Sequence, residues 1–133
     1  MVLDSDGLAK YAGFNPVAHK HVELALERDR RVVVSAITLA EVLRGRSQDA
    51  GIHRVLKKIS IAEVTPEIGR RAGELLGATG LDGHRCAIDA VVAATALDQL
   101  RPVALLTSDP DDLTALLEEN GVPKQERVAV FRV

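Results

Sequence analysis

The sequence predicts an α/β fold, a parallel sheet of five strands covered by helices on both faces. Three observations carry this. Short β-branched runs alternate along the chain with longer segments of helical apolar spacing, the pattern of strand–helix–strand units. One run, Arg31-Val32-Val33-Val34-Ser35, holds three consecutive valines and so reads as a strand buried on both faces. The composition is 47% apolar but only 2% aromatic, with no Trp, so the core between the layers must be filled by Ala, Val, Leu and Ile.

Taken in order, Val2-Leu3 is a very short first strand that runs straight into Asp4. Leu8 and Tyr11 mark one or two helical turns after it. Pro16 is placed to start a second helix, with Val17, Val22, Leu24 and Leu26 as its core positions. The valine strand over 31–35 follows, then a helix from Thr38 to Arg46 with Gly45 near its end. A further helix is expected over Ala50–Ile59, and Ser60–Val64 alternates as a strand. Thr65-Pro66-Glu67 supplies an N-cap hydroxyl and a first-turn proline for a helix running to about Ala78, ended by Thr79-Gly80. Residues 80–84 read as loop, Cys86–Leu100 as a strongly apolar helix rich in alanine, and Val103–Thr107 as a strand. Pro110–Asn120 is the last helix and Val128–Phe131 the last strand.

The length, 133 residues, suits a single domain over 1–133. Lys and Arg number 17 against 19 Asp and Glu, a net charge of −2. That balance excludes a polybasic nucleic-acid tail, a membrane-surface helix and a disordered acidic tail. The one cysteine, Cys86, excludes a disulfide scaffold and a cysteine-built metal site, and reads as an inert core thiol. No apolar run approaches the ~20 residues of a membrane span, and no basic-then-apolar leader opens the chain. The expectation is a cytoplasmic protein with no membrane partner. Arg outnumbers Lys 12 to 5 and Ala is abundant, which points to a bacterial source.

Four acids stand where this class of fold places its chemistry, at the carboxyl ends of parallel strands or in the helices beside them. Asp4 follows the first strand, and Asp109 lies two residues beyond Thr107. Glu41 sits in the apolar stretch Ile37–Leu43 soon after the valine strand. Asp89 interrupts Ala87-Ile88-Asp89-Ala90-Val91-Val92, where a solvent-facing role is hard to reconcile with its neighbours. Each has an ordinary reading. Asp4 and Asp109 suit helix N-caps, Glu41 suits a solvated helix face, and Asp89 could pair with Arg85 one turn earlier. One shared reason explains them better than four separate ones: a divalent cation. At about 5 Å and an effective dielectric of about 20, each carboxylate pair repels by about 3 kcal/mol. Mg²⁺ or Mn²⁺, which take oxygen ligands, would cancel that repulsion, bind a phosphodiester oxygen and acidify a water for attack on phosphorus. No side chain stands out as a dedicated general base.

Val2-Leu3-Asp4-Ser5, then Ser35-Ala36-Ile37-Thr38-Leu39-Ala40-Glu41-Val42-Leu43-Arg44-Gly45, then Ile88-Asp89-Ala90-Val91-Val92-Ala93-Ala94-Thr95-Ala96, then Leu106-Thr107-Ser108-Asp109 occur in that order. Together they resemble the PIN-domain ribonucleases, in particular the VapC toxins of bacterial toxin–antitoxin pairs, over nearly the whole chain. The resemblance implies a three-layer α/β/α sandwich with a central, mainly parallel five-stranded sheet in order 3-2-1-4-5 and an acidic pocket at the sheet end. It implies Asp4, Glu41, Asp89 and Asp109 as the catalytic, metal-binding acids, Asp4 and Asp89 foremost, with Asp112 as an auxiliary. It implies Mg²⁺ or Mn²⁺ as cofactor and RNA as substrate. It also implies a cognate antitoxin that places a basic side chain in the pocket, and a homodimer. Thr107 or Ser108 would help hold water or phosphate. The chain departs from the family pattern at Asp6, where Ser or Asn is more usual, and a helix-capping role is expected for it.

Two other readings use the same residues. A degenerate domain of this type would serve only as a binding module. Alternatively, Asp4-Ser5-Asp6-Gly7 resembles the first motif of haloacid-dehalogenase-type phosphatases, with Asp4 as nucleophile, but this leaves Glu41 and Asp89 unexplained and puts Leu8 where that family has Thr. For RNA contact the candidates are Arg44 and Arg46, near a helix end, and His84 and Arg85, ahead of the helix bearing Asp89. The ordinary reading of Arg44 and Arg46 is favourable charge at a helix C-terminus. The histidines lack the helical spacing of a zinc site.

Overall fold

The computed structural model describes all residues, 1–133. Its five strands are β1 (Val2–Leu3), β2 (Val33–Ser35), β3 (Ser60–Ala62), β4 (Ala104–Thr107) and β5 (Ala129–Arg132). They form one sheet in order β3-β2-β1-β4-β5. Every neighbouring pair is parallel, so the sheet is wholly rather than mainly parallel.

The seven helices are α1 (Ser5–Ala12), α2 (Pro16–Glu27), α3 (Ala36–Val42), α4 (Ala50–Leu56), α5 (Pro66–Thr79), α6 (Gly83–Leu97) and α7 (Pro110–Leu116). None is long and apolar enough to cross a membrane.

Strand alternation divides the core in two. Leu3, Val34 and Leu106 face a layer built by Leu8 and Tyr11 of α1, Ala18, Val22 and Ala25 of α2, and Ile52 and Val55 of α4. Val2 and Leu105 face the opposite layer of α5, α6 and α7, where the alanines of α6 let that helix lie close to the sheet. The result is the expected α/β/α sandwich.

The boundaries that differ from expectation each have a local cause. The 80–84 segment is not all loop, because the Asp82 side chain accepts from the Arg85 N–H at 2.8 Å and starts α6 at Gly83. This carries His84 and Arg85 into its first turn; at its other end the helix stops at Leu97 rather than Leu100, with Asp98 as its C-cap. The helix expected to reach Arg46 stops at Val42, because the Asp49 carboxylate collects the N–H groups of Arg44, Gly45 and Arg46 at 2.8, 2.7 and 3.2 Å. Those donors are thereby removed from the helical ladder. The helices α4 and α7 end three and four residues early, at Leu56 and Leu116.

In α2 the inward face is Ala18, Val22 and Ala25, at i, i+4 and i+7. Val17 and Leu24, expected in the core, are 50% and 40% exposed. The β-strands are trimmed too: β2 starts at Val33, β3 ends at Ala62, β4 starts at Ala104, and β5 is shifted one residue to 129–132.

Candidate functional site

The sheet register sets the floor of the site. Leu3 pairs with Val34 on one side and with Leu106 on the other, so the next residues, Ser35, Asp4 and Thr107, lie level at the carboxyl edge. The backbone stays extended at Asp4 and Ser35, and Asp4 N–H still donates to the Leu106 carbonyl at 3.2 Å. Alternation therefore turns this row toward the layer that contains α6. The helix α6 packs across β1 and β2 and against α3, and it carries Asp89 on the same face as buried Cys86 and Ala93, three residues before and four after.

The acids expected together are brought into one neighbourhood. Burial, followed by the charges of Glu41, Asp112, Asp4 and Asp109, pushes the Asp89 carboxyl up from 3.8 to about 6. Asp4 is buried, at 8% exposure. Its carboxyl is also raised, chiefly by burial and also by Asp6 and Glu41, against the lowering effect of the neighbouring Thr107 hydroxyl and of the hydrogen bond from the Gly7 N–H.

The five ion pairs of the molecule, His19–Glu23, Lys58–Glu23, Arg70–Glu67, Arg71–Glu74 and Arg101–Glu119, include none of these acids. The pairing of Asp89 with Arg85 is thus not made, and Arg85 is exposed. Glu41 is half-buried, while Asp109 and Asp112 are exposed and near enough for their charges to act on Asp89.

Local hydrogen bonds fix several positions. Asp4 does cap α1, its Oδ1 accepting from Gly7 N–H at 2.6 Å, so the cap and the pocket acid are one residue. Asp6, expected to be the cap, instead lies in the first turn of α1 and accepts from the Ser108 hydroxyl. Asp109 precedes α7 but makes no side-chain cap. Thr107 ties down the turn that presents it: the hydroxyl accepts from Asp109 N–H at 3.0 Å and donates to the Asp109 carbonyl at 3.1 Å. Both hydroxyls expected to hold water or phosphate are thus engaged in orienting acids. Arg44 folds back onto the carbonyls of Ala40 and Leu43, at 3.2 and 2.8 Å, as the helix-end reading of that residue anticipates. Arg46, His84 and Arg85 are exposed, the last two in the first turn of α6, which also carries Asp89. A cleft of about 600 Å³ opens beside Glu41 between α1, α3 and α4, lined among others by Ser5, Asp6, Arg44 and Arg46.

Sequence reasoning missed two features. Cys86 is buried, as expected, but its thiol also donates to Asp112 Oδ2 at 3.5 Å. The two residues are 26 apart, and no sequence signal joins them. Ser35 and Thr38 are fully buried with hydroxyl oxygens that have no hydrogen-bond partner. A serine ending the valine strand was visible in the sequence, but its burial was not.

No three His, Cys, Asp or Glu side chains stand in chelating geometry. Chemically, the site still fits a hard divalent cation. Its donors are all oxygens, their charge has no ion-pair partner, and one orphaned hydroxyl, that of Ser35, lies in the row beside Asp4.

The model of the PIN domain family matches residues 1–116. Among solved structures, one that is similar is described as VapBC2 from Rickettsia felis bound to a DNA fragment from their promoter. It has a TM-score of 0.71 and 16% identity, covering 99% of this chain and 97% of that one. No curated protein matches in sequence. The phosphatase reading gains no support, since Asp6, its second acid, is tied to Ser108. With the family pattern spanning all but the last strand and its approach, and the sheet order matching what that pattern implies, this chain belongs to the PIN-domain family.

Proposed function

We propose that the protein is a metal-dependent ribonuclease toxin of the VapC type, hydrolysing RNA phosphodiester bonds and neutralised by a cognate antitoxin. One observation carries the reading. Asp89 is half-buried in an apolar helix, has no cationic partner, and is pushed up to about 6 by burial and by four neighbouring carboxylates. A protein keeps such a destabilising cluster where a cation offsets it.

Asp4, Glu41, Asp89 and Asp109 would hold Mg²⁺ or Mn²⁺, with Asp112 as auxiliary. When bound, the ion supplies a positive charge for the phosphate and lowers the pKa of the attacking water. The chain's own part is positional. The cap from Gly7 fixes Asp4, the Thr107 turn fixes Asp109, and α6 holds Asp89 rigidly across the sheet end. Arg46, His84 and Arg85, all exposed, would meet RNA phosphates, and Arg44 would do so by leaving its helix-end carbonyls.

The solved relative, a VapBC assembly, supports an antitoxin partner. A basic antitoxin side chain in this pocket would meet carboxylates that lack any counter-charge. A homodimer is part of the same reading.

The test is cleavage of labelled RNA by the purified protein in Mn²⁺ or Mg²⁺, with EDTA, Asp89→Asn and Asp4→Asn as comparisons. Cleavage lost in all three supports the proposal, and undiminished cleavage in either variant removes it. Tight partner binding without any RNA cleavage in Mn²⁺ would identify a binding module instead.

A further inference from the structure

Ser35 and Thr38 are 0% exposed, and neither hydroxyl is hydrogen-bonded. Burying an unpaired hydroxyl costs about 1–3 kcal/mol, so two of them three residues apart call for a reason. Ser35 also forgoes its ordinary task. It is the N-cap residue of α3, yet its side chain makes no capping hydrogen bond, although a serine cap is worth about 1 kcal/mol.

Position supplies the reason. Ser35 lies level with Asp4 in the sheet row, on the adjacent strand and on the same face, about 4.8 Å away across the sheet. Thr38 lies three residues before Glu41 in α3, so the two share one helical face. Glu41 is close enough to Asp4 to raise the cost of ionising it, yet the acids stand short of chelating geometry. The two unpaired donors and the open set of carboxylates belong together.

We propose that Ser35 and Thr38 are positioning residues. As the carboxylates close on a divalent cation, the Ser35 hydroxyl donates to Asp4 and the Thr38 hydroxyl to Glu41, holding each in its ligating orientation. The inference rests on the metal-dependent reading above. Hydrogen bonds to ligating carboxylates commonly alter metal affinity 10- to 100-fold when removed.

The test compares wild type with Ser35→Ala, Thr38→Val and Thr38→Ser, using Mn²⁺ titration calorimetry and thermal melts with and without Mn²⁺. Ser35→Ala and Thr38→Val should each weaken Mn²⁺ binding about ten-fold or more, and the melting gain from Mn²⁺ should shrink with it. Their metal-free melting temperatures should equal or exceed that of wild type, because an unpaired hydroxyl is removed. Thr38→Ser, which keeps the donor, should bind close to wild type. Wild-type affinity in both Ser35→Ala and Thr38→Val overturns this inference alone. So does weaker binding that Thr38→Ser fails to restore, or that tracks a fall in metal-free stability. No Mn²⁺ binding by wild type itself would overturn the metal reading and this inference with it.

Discussion

Replacing Asp89 by Asn should make the metal-free protein more stable, not less. The rise of the Asp89 carboxyl from 3.8 to about 6 means that its ionised form is penalised in the folded state. At full strength the difference is about 3 kcal/mol. Because the side chain is only half-buried, solvent screening reduces this to about 1–2 kcal/mol. An acid whose folded pKa is raised binds its proton more tightly when folded. The penalty is therefore full above about pH 7, shrinks as pH falls through 6, and is gone below about 4. Urea or thermal unfolding in EDTA checks this. At pH 7.5 Asp89→Asn should unfold at a temperature several degrees above wild type, and the two should converge near pH 4. Mn²⁺ should raise the wild-type melting temperature while leaving the variant nearly unmoved. A variant equal to or less stable than wild type at pH 7.5 in EDTA would refute the reasoning, since Asp89 would then not be a repelled carboxylate.

Mn²⁺ affinity should fall as pH drops through about 6, because a cation competes with the proton on Asp89; calorimetry between pH 5 and 7.5 reads this. Asp4→Asn keeps a side-chain oxygen for the Gly7 N–H, so it should hold stability near wild type while losing Mn²⁺ binding, whereas Asp4→Ala should cost about 1 kcal/mol more in urea unfolding through the lost cap. Gly7→Ala should destabilise by about 1–3 kcal/mol, since its Cβ would lie 2.6 Å from the Leu106 carbonyl and 3.2 Å from Asp4 Oδ1; the same thermal melts that find no loss would show that α1 can lift from the sheet freely. Asp49→Ala frees the three N–H groups that end α3, and should lower the melting temperature and slow RNA cleavage by loosening the wall that holds Glu41. The Asp49 carboxyl is held below its ordinary value chiefly by the Arg44 N–H. Its stabilising effect is present at neutral pH and lost on acidification, so the wild-type advantage over Asp49→Ala should vanish in acid melts.

Much of the site was legible because the sequence carries a contradiction that no helix or strand resolves locally. Asp89 stands at a position where the 3.6-residue period calls for an alkyl group, and Asp4 and Asp109 follow apolar strands directly. Those are properties of nearest neighbours along the chain, and so are the valine run, the Thr65-Pro66 helix start and the small-residue face of α6. The errors came from side chains that act on backbone a few residues away. Asp82 starts α6 earlier than its apolar pattern, and Asp49 stops α3 earlier than its pattern, each by collecting N–H groups that composition does not announce. In α2, Val17 and Leu24 lost the core to Ala18 and Ala25 because the helix turns its Ala18-Val22-Ala25 stripe inward and packs on α1.

The sequence by itself determined the layer architecture, the order and type of the main elements, and the presence of carboxylates too apolar in their surroundings to be solvated. Only the tertiary structure decided that Ser35, Asp4 and Thr107 form one row, that Cys86 meets Asp112, that Asp6 answers to Ser108, and that Asp89 feels four other acids at once. The physical reason is that periodicity and capping act within a few residues. Electrostatic coupling and hydrogen bonding across a sheet end depend instead on strand order and register, which are fixed by packing between segments up to a hundred residues apart.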